Sequence, residues 1–221
     1  MNALLAVVWK DLLTEWRSRD RIIAMLLFSM LMVVIFHFSL PGGATSATRA
    51  YAPGLLWVAY VFAALLGLGR SFAIELENDA IERLARVPVD RGWVILGKTI
   101  ANLLILAVVQ AITACVFALF FEMDLMPVAL ELAGVVALGS LGLCSVGTFF
   151  AAVAVRTRLR EVMLPLLALP FYTPVLIAAS RATNSLFETG AVSFEPIQFL
   201  IVTDAIYLIA SFLLSDFVLD E

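Results

Sequence analysis

The chain has 221 residues, 63% of them hydrophobic and 14% charged, with a formal net charge of −4 and a mean hydropathy of +1.04. Soluble domains carry about 45–50% apolar residues, so this composition excludes an ordinary soluble fold and describes an integral membrane protein. Basic residues confined to the stretches that flank the apolar blocks also argue against a nucleic-acid-binding surface.

The first element is an amphipathic helix over residues 1–21. In "LLAVVWKDLLTEWRSRDR" the residues Leu5, Val8, Trp9, Leu12 and Trp16 form one stripe, and Lys10, Asp11, Glu15 and Arg17 face away from it. This pattern predicts a helix lying flat in the membrane interface, with both tryptophans at headgroup depth. It anchors the first span, and docking of a partner is a lesser role for it.

Six apolar blocks follow, each long enough to cross a hydrocarbon core, which takes about 20 helical residues. They run over residues 22–40, 53–69, 99–120, 127–155, 162–180 and 196–215. The first begins too late, after too many charges and without a small-residue cleavage site, to be a signal peptide. The fold class is therefore an all-α integral membrane protein, a single transmembrane domain over residues 1–221. Its largest polar interruption, residues 70–98, is too short to bury a core of its own.

Basic residues set the expected orientation. One side holds Lys10, Arg17, Arg19 and Arg21, then Arg70, Arg83, Arg86, Arg91 and Lys98, then Arg156, Arg158 and Arg160, against only Arg49 and Arg181 on the other. This predicts a multi-pass protein with both termini in the cytoplasm.

Between spans 2 and 3, "RSFAIELENDAIERLARVPVDRG" is longer than a turn needs. Asp79 and Glu82 form a capping box, Glu82 and Arg86 an i,i+4 pair, and Ile81 with Leu84 and Ala85 an apolar face flanked by Glu82, Arg83 and Arg86. The pattern predicts a short amphipathic helix ended by Pro88. Its apolar stripe is too narrow to hold membrane well alone, which favours partner docking over resting on lipid.

Directly after it, "GWVILGKT" satisfies the G-x-x-x-x-G-K-[ST] phosphate-loop pattern through Gly92, Gly97, Lys98 and Thr99. A working phosphate loop follows a strand and wraps small residues around the anion. Here Trp93, Val94, Ile95 and Leu96 are bulky and a membrane span follows. The stretch reads as the first turns of span 3, with Lys98 snorkelling to the headgroups.

Within the spans, Asn102, Gln110 and Thr113 are expected to make interhelical hydrogen bonds. Ser140, Cys144, Thr148 and Ala152 form a small-residue stripe on span 4, and Pro165, Pro170 and Pro174 predict a kinked or broken span 5. Both features fit ordinary packing and, as the sharper alternative, a gate. Asp204 is the one acidic residue of a span interior. It suits either interfacial or helix-pairing placement, or a substrate or proton role. Glu131 is expected near the outer headgroups and His37, the single histidine, at the outer end of span 1, where heme ligation is a minor alternative to an interfacial role. Cys115 and Cys144 should differ in height by about 10 Å, against a disulfide. There is no C-x-x-C-H, no H-E-x-x-H and no Cys/His cluster, so neither covalent heme attachment nor a metal-dependent hydrolase is indicated.

The amphipathic N-terminus, the six spans, "APGLLWVA" at 52–59 and above all "AIERLARVPVDRGWVILGK" at 80–98 resemble the heme exporter protein B (CcmB) family. The resemblance covers essentially the whole chain. It implies the permease subunit of an ABC-type complex for cytochrome c maturation in the bacterial inner membrane, with two copies pairing with two copies of a cytoplasmic ATPase. The further partners it implies are a heme-handling membrane protein with a tryptophan-rich motif, a small single-span protein and a periplasmic heme chaperone. Asp79, Ile81, Glu82, Arg83, Leu84 and Arg86 then belong to a coupling helix within residues 70–98. The chain itself is expected to be non-catalytic and to bind no cofactor, with ATP on the partner and heme as possible substrate. Against this stand an ATP-independent secondary transporter or channel, for which only Asp204 and the span 5 prolines speak, and a membrane-embedded enzyme, for which no nucleophile or metal set is evident.

Overall fold

The structure is a computed structural model and describes residues 3–40, 46–72, 91–154 and 160–215. Among these, seven α-helices are found: α1 (Ala3–Ser18), α2 (Asp20–Ser39), α3 (Ser46–Gly69), α4 (Arg91–Phe120), α5 (Ala129–Ala154), α6 (Arg160–Thr189) and α7 (Phe194–Leu213). A short 3-10 turn, Met126–Val128, leads into α5. The helices α2 to α7 are each long and apolar enough to cross a membrane. The predicted coupling helix at residues 79–86 lies outside the described residues.

The corner between α1 and α2 is made by Arg19, held in the left-handed region at φ 57°. That conformation costs a non-glycine residue about 1–2 kcal/mol, offset here by local contacts. Glu15 supplies most of them: its carbonyl accepts from Arg19 N (2.8 Å) and its carboxylate from Ile22 N (3.2 Å), at one of the amides that the first turn of α2 leaves free.

The middle of the bundle is α5, which packs against α3, α4, α6 and α7. Its composition explains the position. Gly139, Gly142 and Gly147 let neighbours approach its backbone: a Cβ at Gly139 would collide with the Trp57 ring, one at Gly142 with the Asp204 carboxylate and one at Gly147 with Tyr172 and Leu68. In lipid there is no hydrophobic drive between apolar helices, so close approach of this kind and interhelical hydrogen bonds supply the association. The stripe Ser140, Cys144, Thr148 and Ala152 is buried along its whole length in the same interior.

Three spans are longer than read in the sequence, the second because α3 begins at Ser46. The third begins at Arg91, so residues 92–99 are indeed helical turns of that span. The fifth runs as one unbroken helix to Thr189 with Pro165, Pro170 and Pro174 inside it. Beside Pro170 and Pro174, the Tyr207 hydroxyl of α7 donates to the Phe171 carbonyl (2.9 Å), tying this proline-containing turn to a neighbouring helix.

Candidate functional site

At the end of the bundle where α1 meets α2 and α4, seven polar side chains from five segments converge. Lys98 is 1% exposed, two turns inside α4. Its ammonium donates to Asp11 Oδ2 on α1 (3.1 Å) and to the Ser71 carbonyl just past α3 (3.1 Å), and lies 4.5 Å from the centre of the Phe72 ring. Asp11 is shared with the more exposed Lys10, at 2.9 Å.

One helical turn further into α4, Asn102 is 4% exposed and continues the network. Its amide nitrogen donates to the hydroxyls of Ser71 (3.0 Å) and Thr148 of α5 (2.9 Å), and its oxygen accepts from Arg21 Nη1 of α2 (3.1 Å). Arg21 Nε in turn pairs with Glu15 Oε2 of α1 at 3.0 Å. Ser71 is thus gripped twice, by Lys98 through its carbonyl and by Asn102 through its hydroxyl. Charged pairs this far from water repay their desolvation only when geometry is good and remaining donors are satisfied; Ser71, Asn102 and Thr148 contribute hydrogen bonds of that kind to this joint.

The position of the joint matters more than its stability. Ser71 and Lys98 are the two roots of residues 73–90, the segment that carries the predicted coupling helix. Their hydrogen bond clasps those roots together. Asp11 and Glu15 then tie the clasp to α1, Arg21 ties it to α2, and Thr148 ties it to the central helix α5.

One expectation is corrected by this geometry. Lys98 does not snorkel to the headgroups, because an anionic partner and a carbonyl meet it inside the protein. Asp11 and Glu15 do lie opposite the tryptophan stripe, and that polar face is turned into the protein: the Asp11 side chain is 13% exposed and Glu15 8%. The helix α1 packs along α4, where Gly97 admits it: a Cβ there would stand 3.0 Å from Val7 Cβ. Leu5, Trp9, Leu13 and Trp16 are left on the outside. The sequence signal was available, since two acids at i,i+4 opposite a tryptophan stripe need partners if the helix packs on protein.

The other singled-out residues are spread over the bundle. Gln110 Oε1 accepts from Ser140 (2.8 Å), Thr113 and Ser29 share a hydrogen bond (2.8 Å), and both links join different helices. Asp204 sits midway along α7, 3% exposed, facing α5, and among the described residues neither carboxylate oxygen has a hydrogen-bond partner. His37 packs edge-on against the rings of Phe38, Phe120 and Phe121 at 5.2–5.8 Å. Glu131 is exposed in the first turn of α5. Cys115 is exposed, Cys144 buried, and both are free thiols. Among the described residues no group of three or more His, Cys, Asp or Glu is arranged to hold a metal ion.

These features define a multi-pass α-helical membrane protein whose helices are knotted by a buried charged joint at the roots of one polar interhelical segment. The chain belongs to the CcmB protein family, whose model matches residues 2–219. It is similar to heme exporter protein B of Paracoccus denitrificans, 31% identical over 204 residues covering 92% of this chain and 90% of that one. The heme exporter protein B of Rhodobacter capsulatus is 33% identical over 177 residues, 80% of this chain and 79% of its own. That of Pseudomonas aeruginosa is 29% identical over 160 residues, 72% and 71% of the two chains.

Proposed function

We propose that this chain is the permease subunit of an ATP-driven complex for cytochrome c maturation in the bacterial inner membrane, working on heme. ATP hydrolysis by a cytoplasmic partner drives either heme export or release of a heme-loaded chaperone from a neighbouring subunit. The observation that carries the reading is the joint itself. A segment docked on a moving ATPase can transmit force only if its roots are rigidly attached to membrane helices, and Ser71 and Lys98 provide that attachment. The names of the similar proteins supply heme as the cargo. Both termini and residues 70–98 then face the cytoplasm, two copies pair, and the remaining partners are a heme-handling membrane protein, a small single-span subunit and a periplasmic heme chaperone.

In this reading Ile81 and Leu84 make the apolar contacts with the ATPase, while Asp79, Glu82, Arg83 and Arg86 set register, since rim charges tune specificity more than affinity. The test is copurification of the ATPase and cytochrome c assembly in cells carrying Leu84→Asp, compared with Thr45→Asp in the opposite loop. Leu84→Asp should lose both while the permease still inserts. Retention of partner and function would reduce the segment to a lipid-resting element. One observation favours the ATP-independent alternative: Asp204 is a buried carboxylate midway along a span, without a hydrogen-bond partner among the described residues. Cytochrome assembly that persists without any ATPase subunit would select that alternative.

A further inference from the structure

The end of the bundle away from the joint carries a cleft of about 520 Å³ between the first turns of α3 and the last turns of α6. Tyr51 and Gly54 line it from α3, and Arg181, Asn184, Ser185 and Glu188 from α6. The four α6 residues follow i, i+3, i+4, i+7 spacing and so share one helix face, with Arg181 and Glu188 about 10 Å apart along the axis. Both charges are exposed. Glu188 Oε1 accepts from Asn184 Nδ2 at 2.9 Å, while Arg181 has neither an ion pair nor a hydrogen bond among the described residues. Gly54 approaches Ser180 where the two helices line the cleft, and the fully buried Trp57 of α3 donates to Thr183 of α6 at 2.9 Å.

From this we propose that the cleft is a binding site for a phosphoethanolamine group, its phosphate on Arg181 and its ammonium on Glu188. An arginine fork suits phosphate oxygens, and a primary ammonium offers three donors to a carboxylate with acceptor capacity left over. One cation and one anion on the same wall match a zwitterion. Among the described residues of the lining, a dicarboxylate finds a single cation and meets Glu188 with its second charge. Tyr51, 66% exposed, stands at the mouth as an aromatic of the kind enriched at headgroup depth. The proposal is independent of the transport reading.

The same chemistry is available from a phospholipid headgroup or from a soluble phosphoethanolamine ester, and the test separates them. The purified full-length chain is equilibrated with equal amounts of phosphatidylethanolamine, phosphatidylglycerol and phosphatidylcholine, and retained lipid is counted by native mass spectrometry. Wild type should retain phosphatidylethanolamine over the other two by up to about fivefold, the scale of an exposed charge pair. Arg181→Gln should retain less of all three lipids, by up to about fivefold, and Glu188→Gln should keep lipid without the preference. Both side chains are exposed, and unchanged melting temperatures check that the variants fold. Displacement of the lipid by millimolar glycerophosphoethanolamine supports the site and assigns it to a soluble ligand; retention assigns it to lipid. Absence of retained lipid together with no binding of the soluble ester, equal preference for phosphatidylglycerol, or variants indistinguishable from wild type would each overturn the proposal.

Discussion

Lys98 Nζ lies 3.1 Å from Asp11 Oδ2, joining residues 87 positions apart in the chain. The contact turns the polar face of α1 toward protein and its tryptophans outward, and it occupies the one lysine that a phosphate-loop reading would require. A lysine that serves a nucleotide must be free to reach phosphate, whereas this one is held by a carboxylate, a carbonyl and an aromatic ring.

Removing either partner of the pair should destabilise the protein, but unequally. Lys98→Met leaves Asp11 with Lys10 at 2.9 Å, while Asp11→Asn takes the carboxylate away from Lys98, which is far more deeply buried than Lys10. Asp11→Asn is therefore expected to cost more, up to about 3–5 kcal/mol for removing the counter-charge of a buried cation. The double variant should cost less than the sum of the singles. Thermal unfolding in detergent measures this, and equal, additive losses would contradict the pairing. Purified wild-type chain should neither bind nor hydrolyse ATP.

At the centre of the bundle, Gly139→Ala should cost about 1–3 kcal/mol by driving a methyl group into Trp57. Gly134 is the internal control on the same helix, with nothing within 4 Å of an added Cβ. Gly134→Ala should be neutral or stabilising by up to ~1 kcal/mol from helix propensity. A smaller penalty for Gly139→Ala in a Trp57→Phe background would locate the clash; equal penalties would mean that helix packing relaxes around it.

Asp204→Asn is expected to melt no lower than the parent, because neither carboxylate oxygen has a hydrogen bond to lose among the described residues. A buried polar group without a partner costs a fold about 1–3 kcal/mol. If Asp204 is retained for transport, cytochrome c assembly in cells should fall while the melting temperature holds. A large drop in melting temperature would instead assign the residue a structural role.

Topology is checked by cysteine labelling in a background with Cys115 and Cys144 replaced. An impermeant reagent applied outside sealed cells should modify probes at Thr45, Asp124 and Ser193, and spare Thr14, Asp79 and Thr157. Labelling at Asp79 would invert the orientation and remove the coupling proposal with it.

Much of this protein is determined by sequence alone. Six blocks of sustained hydropathy dictate six membrane helices, because a chain in hydrocarbon must satisfy its own backbone and the helix does so locally. The failure of 92–99 as a phosphate loop was legible for the same reason, as its middle residues are those of a membrane helix. Asn102, Gln110 and Thr113 stood out because polar groups in a span need partners, although nothing local said which. What only the tertiary structure decided is pairing. The meeting of Asp11 with Lys98, of Glu15 with Arg21 and of Asn102 with Ser71 and Thr148 depends on how helices distant in the chain lie side by side. An amphipathic pattern defines two faces of a helix without saying which one meets lipid. For α1, the choice was made by a buried lysine on another helix that needed its carboxylate.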